Sequence, residues 1–203
     1  MLAEKKIAEK FRWKRREKMQ FSKLKKTIEG FICTSLRGRI ELHAAVYRHS
    51  HDARSRVWLS FDGQEIFSAA DLTFSFQLYE REEELKEQYK LKPIPYNMDW
   101  EAMFNSPERQ ALIAASDQAE AELVQAGVWG SWHLYTALLN YLNLSIEEAL
   151  TSKDPIIRAF ALFDRRVGKR RILKMKNFEH PLEYKFFAIR REAEGTSISL
   201  RNS

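Results

Sequence analysis

The sequence predicts an α+β fold: a small antiparallel sheet, made of N-terminal β-hairpins plus a C-terminal strand, packed with a mainly helical middle section. Three observations carry this expectation. Residues 40–47 and 57–61 alternate with period two, and Asp62-Gly63 after them is a type I′ hairpin signal. Residues 72–175 hold helix-period stripes punctuated by helix-start signals. The tail PLEYKFFAIRREAEG places Leu182, Tyr184, Phe186 and Ala188 on one strand face, and a strand at about 182–192 needs a partner, which the N-terminal sheet supplies. Residues 19–203 therefore read as a single α+β domain.

The elements follow in order. From Ser22 as N-cap, Leu24, Ile28, Phe31, Ile32 and Ser35 form one helical stripe that ends near Gly38, with lysines on the outer face. RIELHAAVYR then alternates as a half-buried strand, a polar loop spans His49 to Ser55, and SRVWLSF and QEIFS flank the Asp62-Gly63 turn, giving three antiparallel strands. Leu72, Phe74, Phe76 and Leu78 alternate like a strand, yet YEREEELKEQYK continues as a helix, so one helix is expected from about Leu72 to Leu91. Pro93 and Pro95 break the chain. Ser106-Pro107 starts a helix that Gly127 ends, and WHLYTALLNYLN, SIEEAL and DPIIRAFALF are three further helical pieces, the last two capped by Ser145 and Asp154.

With 44% hydrophobic residues, five Trp and one Cys in 203 residues, the chain has material for a sizeable core and no disulfide framework. The composition excludes intrinsic disorder and collagen-like repeats. A lone Cys33 gives no sign of an oxidising compartment, the richest apolar run, Ile156 to Phe163, is cut by Arg158, and residues 1–18 lack a secretory h-region. A cytoplasmic protein without membrane association is expected.

The formal net charge of +6 is concentrated in residues 1–18, where eight cations face three carboxylates, so residues 19–203 are close to neutral. Arg15-Arg16-Glu17-Lys18-Met19 can be encoded by AGG AGG GAA AAA ATG, which has the form of a ribosome-binding site ahead of a start codon, so natural translation is expected to begin at Met19. The competing reading is a basic arm that meets nucleic acid or an anionic membrane surface, with Ile7, Phe11 and Trp13 as apolar contacts.

The strings FSKLKKTIEGFICTSLRGRIELHAAVYR, FDGQEIFSAADL and IIRAFALFDRRVGKRR resemble an uncharacterised family of small bacterial proteins of the conserved-hypothetical kind, over about residues 19–195. The resemblance implies a bacterial, soluble, cytoplasmic protein and transfers no catalytic residue. The leader falls outside its span.

Four constellations bear on chemistry. Asp164-Arg165-Arg166-Val167-Gly168-Lys169-Arg170-Arg171 sets five cations about a glycine that permits close approach, and guanidinium forks match phosphate oxygens. It lacks the P-loop pattern. The bland alternative has these cations closing a helix and pairing with Glu80, Glu82, Glu83, Glu84 and Glu87. His49, His51 and Asp52 in one loop, with His43 nearby, are metal-ligand types at a spacing that matches no named zinc pattern; a polar hairpin loop is the default reading. Asp99 and His133 sit in aromatic-rich strings at helix starts and would form an acid/base pair if the strings met; packing of a helix joint is the competing account. Cys33, about 180° from the apolar stripe of a regular first helix, reads as a semi-buried bystander.

The reading that follows is a non-enzymatic binding or regulatory protein without a cofactor, partnered by nucleic acid or an acidic protein. Arg165, Arg166, Lys169, Arg170 and Arg171 would touch phosphates, with Lys23, Lys25 and Lys26 assisting if the first helix lies alongside. The alternatives are a metal-dependent phosphoester hydrolase and a protein–protein interaction module.

Overall fold

The computed structural model describes residues 20–46 and 55–196. The predicted metal candidates His49, His51 and Asp52 lie outside the described residues.

Helix α1 (Phe21–Phe31) buries Leu24 and Ile28, one turn apart, and stops earlier than the stripe suggested. At Ile32 the backbone becomes extended (ψ 135°) and forms an antiparallel bridge with Asp164, so the residues up to Gly38 belong to a connection rather than to the helix. Gly38 (φ +76°) supplies the left-handed step into the sheet, which a side chain would oppose. Strands β1 (Ile40–Val46), β2 (Ser55–Phe61) and β3 (Gln64–Ala70) form an antiparallel sheet in that order. Ile40 faces Phe61 and Leu42 faces Leu59, while a bulge between Leu59 and Ser60 shifts the β2–β3 register. Asp62 (φ +49°) and Gly63 (φ +78°) have the two positive φ values of a type I′ turn. Arg39 fixes that turn with a bidentate grip on Asp62, Nε to Oδ1 at 2.9 Å and Nη2 to Oδ2 at 2.5 Å.

Helix α2 (Asp71–Gln88) settles the ambiguous stretch in favour of the helix. Phe74 and Leu85 are buried, whereas Leu72, Phe76 and Tyr79 face outward, which is why their alternation imitated a strand. The Asp71 carboxylate ties three elements together, accepting from the backbone N–H of Ser55 (2.8 Å) and of Ser131 (2.6 Å). After the short α3 (Trp100–Phe104), α4 (Pro107–Gln125) starts with Ser106 as N-cap and Pro107 as first residue and packs along α2 over Leu85, Ala115 and Ala119. Helices α5 (Ser131–Tyr141), α6 (Ile146–Leu150), capped by Ser145, and α7 (Pro155–Ala161), capped by Asp154, then α8 (Lys169–Lys174), lead to α9 (Pro181–Ala193).

α9 corrects the expected C-terminal strand. Pro181 opens a helix as its first residue, and the His180 ring accepts from the Leu182 N–H (3.1 Å) as its cap. Leu182, Phe186 and Ile189 are buried with helical spacing, whereas Tyr184, on the face a strand would share with Leu182, is 47% exposed. Among the described residues the sheet has three strands and no C-terminal partner. The fold is α+β, with the main core held between the sheet, α1, α5, α7 and α9, where Phe163 stacks on Phe186 (4.4 Å between centroids). No helix of the described residues is long and apolar enough to cross a membrane.

Candidate functional site

The cationic string lies where the connection after α1 meets the segment after α7. Two backbone hydrogen bonds join them, Cys33 N–H to Phe163 O (2.9 Å) and Arg165 N–H to Phe31 O (2.8 Å). In extended backbone, consecutive side chains point to opposite sides. Asp164 accordingly points into the core, fully buried, and Arg165 points outward.

Asp164 organises the interior. Its Oδ2 accepts from the Tyr141 hydroxyl and from Arg166 Nε (3.0 Å) and Nη2 (2.8 Å), and its Oδ1 accepts from the Arg166 backbone N–H (2.7 Å). Burial, reinforced by the Asp164 charge, pushes the Tyr141 hydroxyl far above its ordinary range. Arg166 also donates to Leu144 O (3.1 Å) and lies over the Phe31 ring at 4.8 Å. Its hydrogen bond to Asp164 raises its basicity further, and the fork is engaged by protein groups. Arg166 therefore serves as a structural clamp, its fork held by Asp164, Tyr141 and Leu144.

A second clamp comes from α9. Arg190, 3% exposed, donates to the carbonyls of Leu162 (3.0 Å), Asp164 (3.3 Å) and Val167 (3.0 Å), and through Nε to Glu194 Oε1 (2.6 Å). The other Glu194 oxygen, Oε2, is buried without a hydrogen-bond partner. Sequence reasoning missed this pair because residues 182–192 were read as strand; Arg190 and Glu194 stand at the i,i+4 spacing of a helix.

The remaining cations divide. Arg171 grips Glu147 bidentately, with Nη2 to Oε2 at 2.7 Å, which raises the guanidinium pKa and holds the Glu147 carboxyl low. Lys169 Nζ donates only to a backbone carbonyl, Glu194 O, at 2.8 Å. The side chains of Arg165 and Arg170 are exposed and make no hydrogen bond or ion pair among the described residues. Lys25 pairs with Glu29 (3.5 Å), while Lys23 and Lys26 are exposed in the first half of α1, roughly 8–12 Å along the axis from Phe31. The expected pairing with the acidic helix does not occur: Glu84 and Glu122 take Arg81, Glu83 takes Lys86, and Glu82 accepts from Ser116.

Of these cations, Arg165 and Lys169 border a cleft of about 410 Å³. It is lined by the Thr34-Ser35 turn, by Arg165, Gly168 and Lys169 of the cationic loop, and by Arg190 and Glu194. Cys33 also lines it, buried to 4% exposure, with its sulfur 3.2 Å from Ser35 Oγ; the early end of α1 turns it into the core instead of leaving it semi-buried.

The other candidates do not assemble. Asp99 caps α3, accepting from the N–H of Glu101 (2.9 Å) and Ala102 (3.3 Å). His133 accepts from Gly130 N–H through Nδ1 (3.0 Å), meets Glu120 at 3.2 Å, and packs against Phe74 and Trp132. No hydrogen bond or ion pair joins Asp99 to His133 among the described residues. His43 stacks on Trp58 (5.1 Å) and bonds Ser60 Oγ (2.8 Å). No group of three metal-ligating side chains occurs among the described residues. A larger groove, about 640 Å³ along residues 175–187, is lined by Phe178, Tyr184 and Phe187, and its His180 already bonds the backbone through both nitrogens, with Leu182 N–H and with Val124 O at 3.3 Å.

Residues 20–191 match the model of the SF0329 protein family. No curated protein and no solved structure matches the chain.

Proposed function

We propose, for a chain that belongs to the SF0329 protein family, that it is a non-enzymatic binding or regulatory protein of the bacterial cytoplasm that contacts the phosphates of a nucleic acid through Arg165, Lys169 and Arg170. One observation carries the reading: of the five cations in the string, these three hold no carboxylate among the described residues, and two of them line one cleft. A cation that is exposed and unpaired has its attraction for phosphate undiminished by an internal partner. Arg166 and Arg171 contribute through the shape of the loop.

Fluorescence anisotropy with a labelled single-stranded oligonucleotide, on the full chain and on residues 19–203, tests this. Three phosphate contacts predict a slope of log affinity against log salt of about −2 for a single strand. Arg165→Ala should weaken binding across sequences and lower the slope by about 0.7. Binding by the full chain alone would assign the affinity to residues 1–18 and overturn the reading. So would an affinity that is unchanged when Arg165, Lys169 and Arg170 are all replaced by alanine.

A further inference from the structure

We infer, resting on the phosphate-contact reading, that the cleft between the Thr34-Ser35 turn and the Arg165–Lys169 loop is a seat for a phosphate monoester, such as the 5′ end of a nucleic-acid strand, in preference to an internal phosphodiester. Charge is the first argument. Arg165, Lys169 and Arg190 line the cleft against one carboxylate, Glu194, leaving two positive charges in excess. A monoester carries about −1.5 to −2 at neutral pH, whereas a diester carries a single charge. Arg190, with its guanidinium bonded to three carbonyls and Glu194, acts as a fixed charge in the lining, while Arg165 and Lys169 are the cations left to touch the ligand.

Hydrogen bonding is the second. The backbone N–H groups of Thr34 and Ser35 donate to no backbone acceptor among the described residues, and both residues line the cleft, Thr34 exposed. A monoester presents three equivalent terminal oxygens that need donors from more than one side, and the cleft supplies them from two segments of the chain. A volume of about 410 Å³ admits a phosphate with its attached sugar. Gly168 leaves its wall open, since a Cβ built there would meet nothing within 4 Å, and its backbone (φ −69°, ψ 156°) is one that any L-residue adopts. Gly168→Val should therefore fold and narrow the seat.

The experiment compares one oligonucleotide with a 5′-phosphate and with a 5′-hydroxyl, on the full chain and on Gly168→Val, with a thermal melt of each protein. The expected result is about tenfold tighter binding of the phosphorylated strand, one charge-assisted contact in size, falling to parity in Gly168→Val with an unchanged melt. Lys169→Gln carries the same comparison should the valine variant fail to fold. Adenosine 5′-monophosphate as competitor separates the two sources of a monoester: displacement at oligonucleotide-like concentrations indicates a free small ester, displacement only at large excess a strand end, and either supports the seat. Equal, salt-dependent binding of both strands would overturn the seat and leave the phosphate-contact reading standing. A preference that survives both variants would place the monoester elsewhere and overturn the seat as well; no binding of either strand would overturn both readings.

Discussion

Replacing Arg166 by alanine separates the structural cation from its exposed neighbour. The fully buried Asp164 would lose two of its side-chain donors, at 3.0 and 2.8 Å, and the Phe31 ring would lose the guanidinium lying 4.8 Å from its centre. Stripping one partner from a buried ion pair costs about 3–5 kcal/mol. Two features reduce that figure: the Arg166 side chain is 32% exposed, and the Tyr141 hydroxyl and the residue 166 N–H continue to donate to Asp164. Adding about 0.5–1 kcal/mol for the lost cation–π contact leaves a destabilisation of about 3 kcal/mol. Arg165→Ala touches no partner and should stay within about 0.5 kcal/mol of the parent. Urea denaturation followed by Trp fluorescence would read the difference as a midpoint shift of roughly 1–2 M for Arg166→Ala and almost none for Arg165→Ala. Arg166→Lys, which keeps the charge without the fork, should fall between them. Equal midpoints for the two alanine variants would refute the clamp, and with it the division of the string into structural and ligand-facing cations.

Substitutions at two further carboxylates test local electrostatics. Asp62 is held below the usual carboxylate range by Arg39, so its contribution is present above the unfolded value of 3.8 and is lost as pH falls through the lower folded value. Asp62→Asn keeps a residue favoured in the type I′ turn, and its melting temperature should fall less between pH 7 and acid than that of the parent; an equally steep acid limb would count against the Arg39–Asp62 pair as a contributor. Burial raises the Asp154 carboxyl, which reverses the sign: its burial favours the fold below the unfolded value of 3.8, and that advantage is lost as pH rises through the higher folded value. Asp154→Asn should thus match or exceed the parent in a neutral-pH urea titration, while Asp154→Ala, lacking the cap to the Ile156 and Ile157 N–H groups, should lose about 1 kcal/mol.

Local signals were readable where the determinant is local. Asp62-Gly63 adopts its positive φ values because the turn geometry selects those residue types, and Ser106-Pro107, Ser145 and Asp154 cap helices through bonds that span two or three residues. The tail failed for the opposite reason. Phe186 and Ile189 suit a strand by propensity, and only their burial against Phe163 and the main core shows that the helical spacing holds. The end of α1 was hidden in the same way, since Ile32 and Cys33 leave the helix to pair with residues 163–165, more than a hundred positions away.

The division of the cationic string shows why charge density alone misplaces a site. Every residue from 164 to 171 except Val167 and Gly168 is charged, so nothing in the string itself distinguishes the cations. What distinguishes them is the pairing of Ile32 with Asp164, which fixes the inward side. Asp164 then captures Arg166 two residues on, Val167 fills the core, and the carbonyls exposed by this non-helical path are collected by Arg190 from α9. Helix α8 begins immediately afterwards and turns Arg171 toward Glu147. Arg165, Lys169 and Arg170 are the cations left over once these internal acceptors have been satisfied. A loop held only for stability would be held equally well with neutral residues at those three positions, so substituting them together is the perturbation in which binding should change while the fold does not.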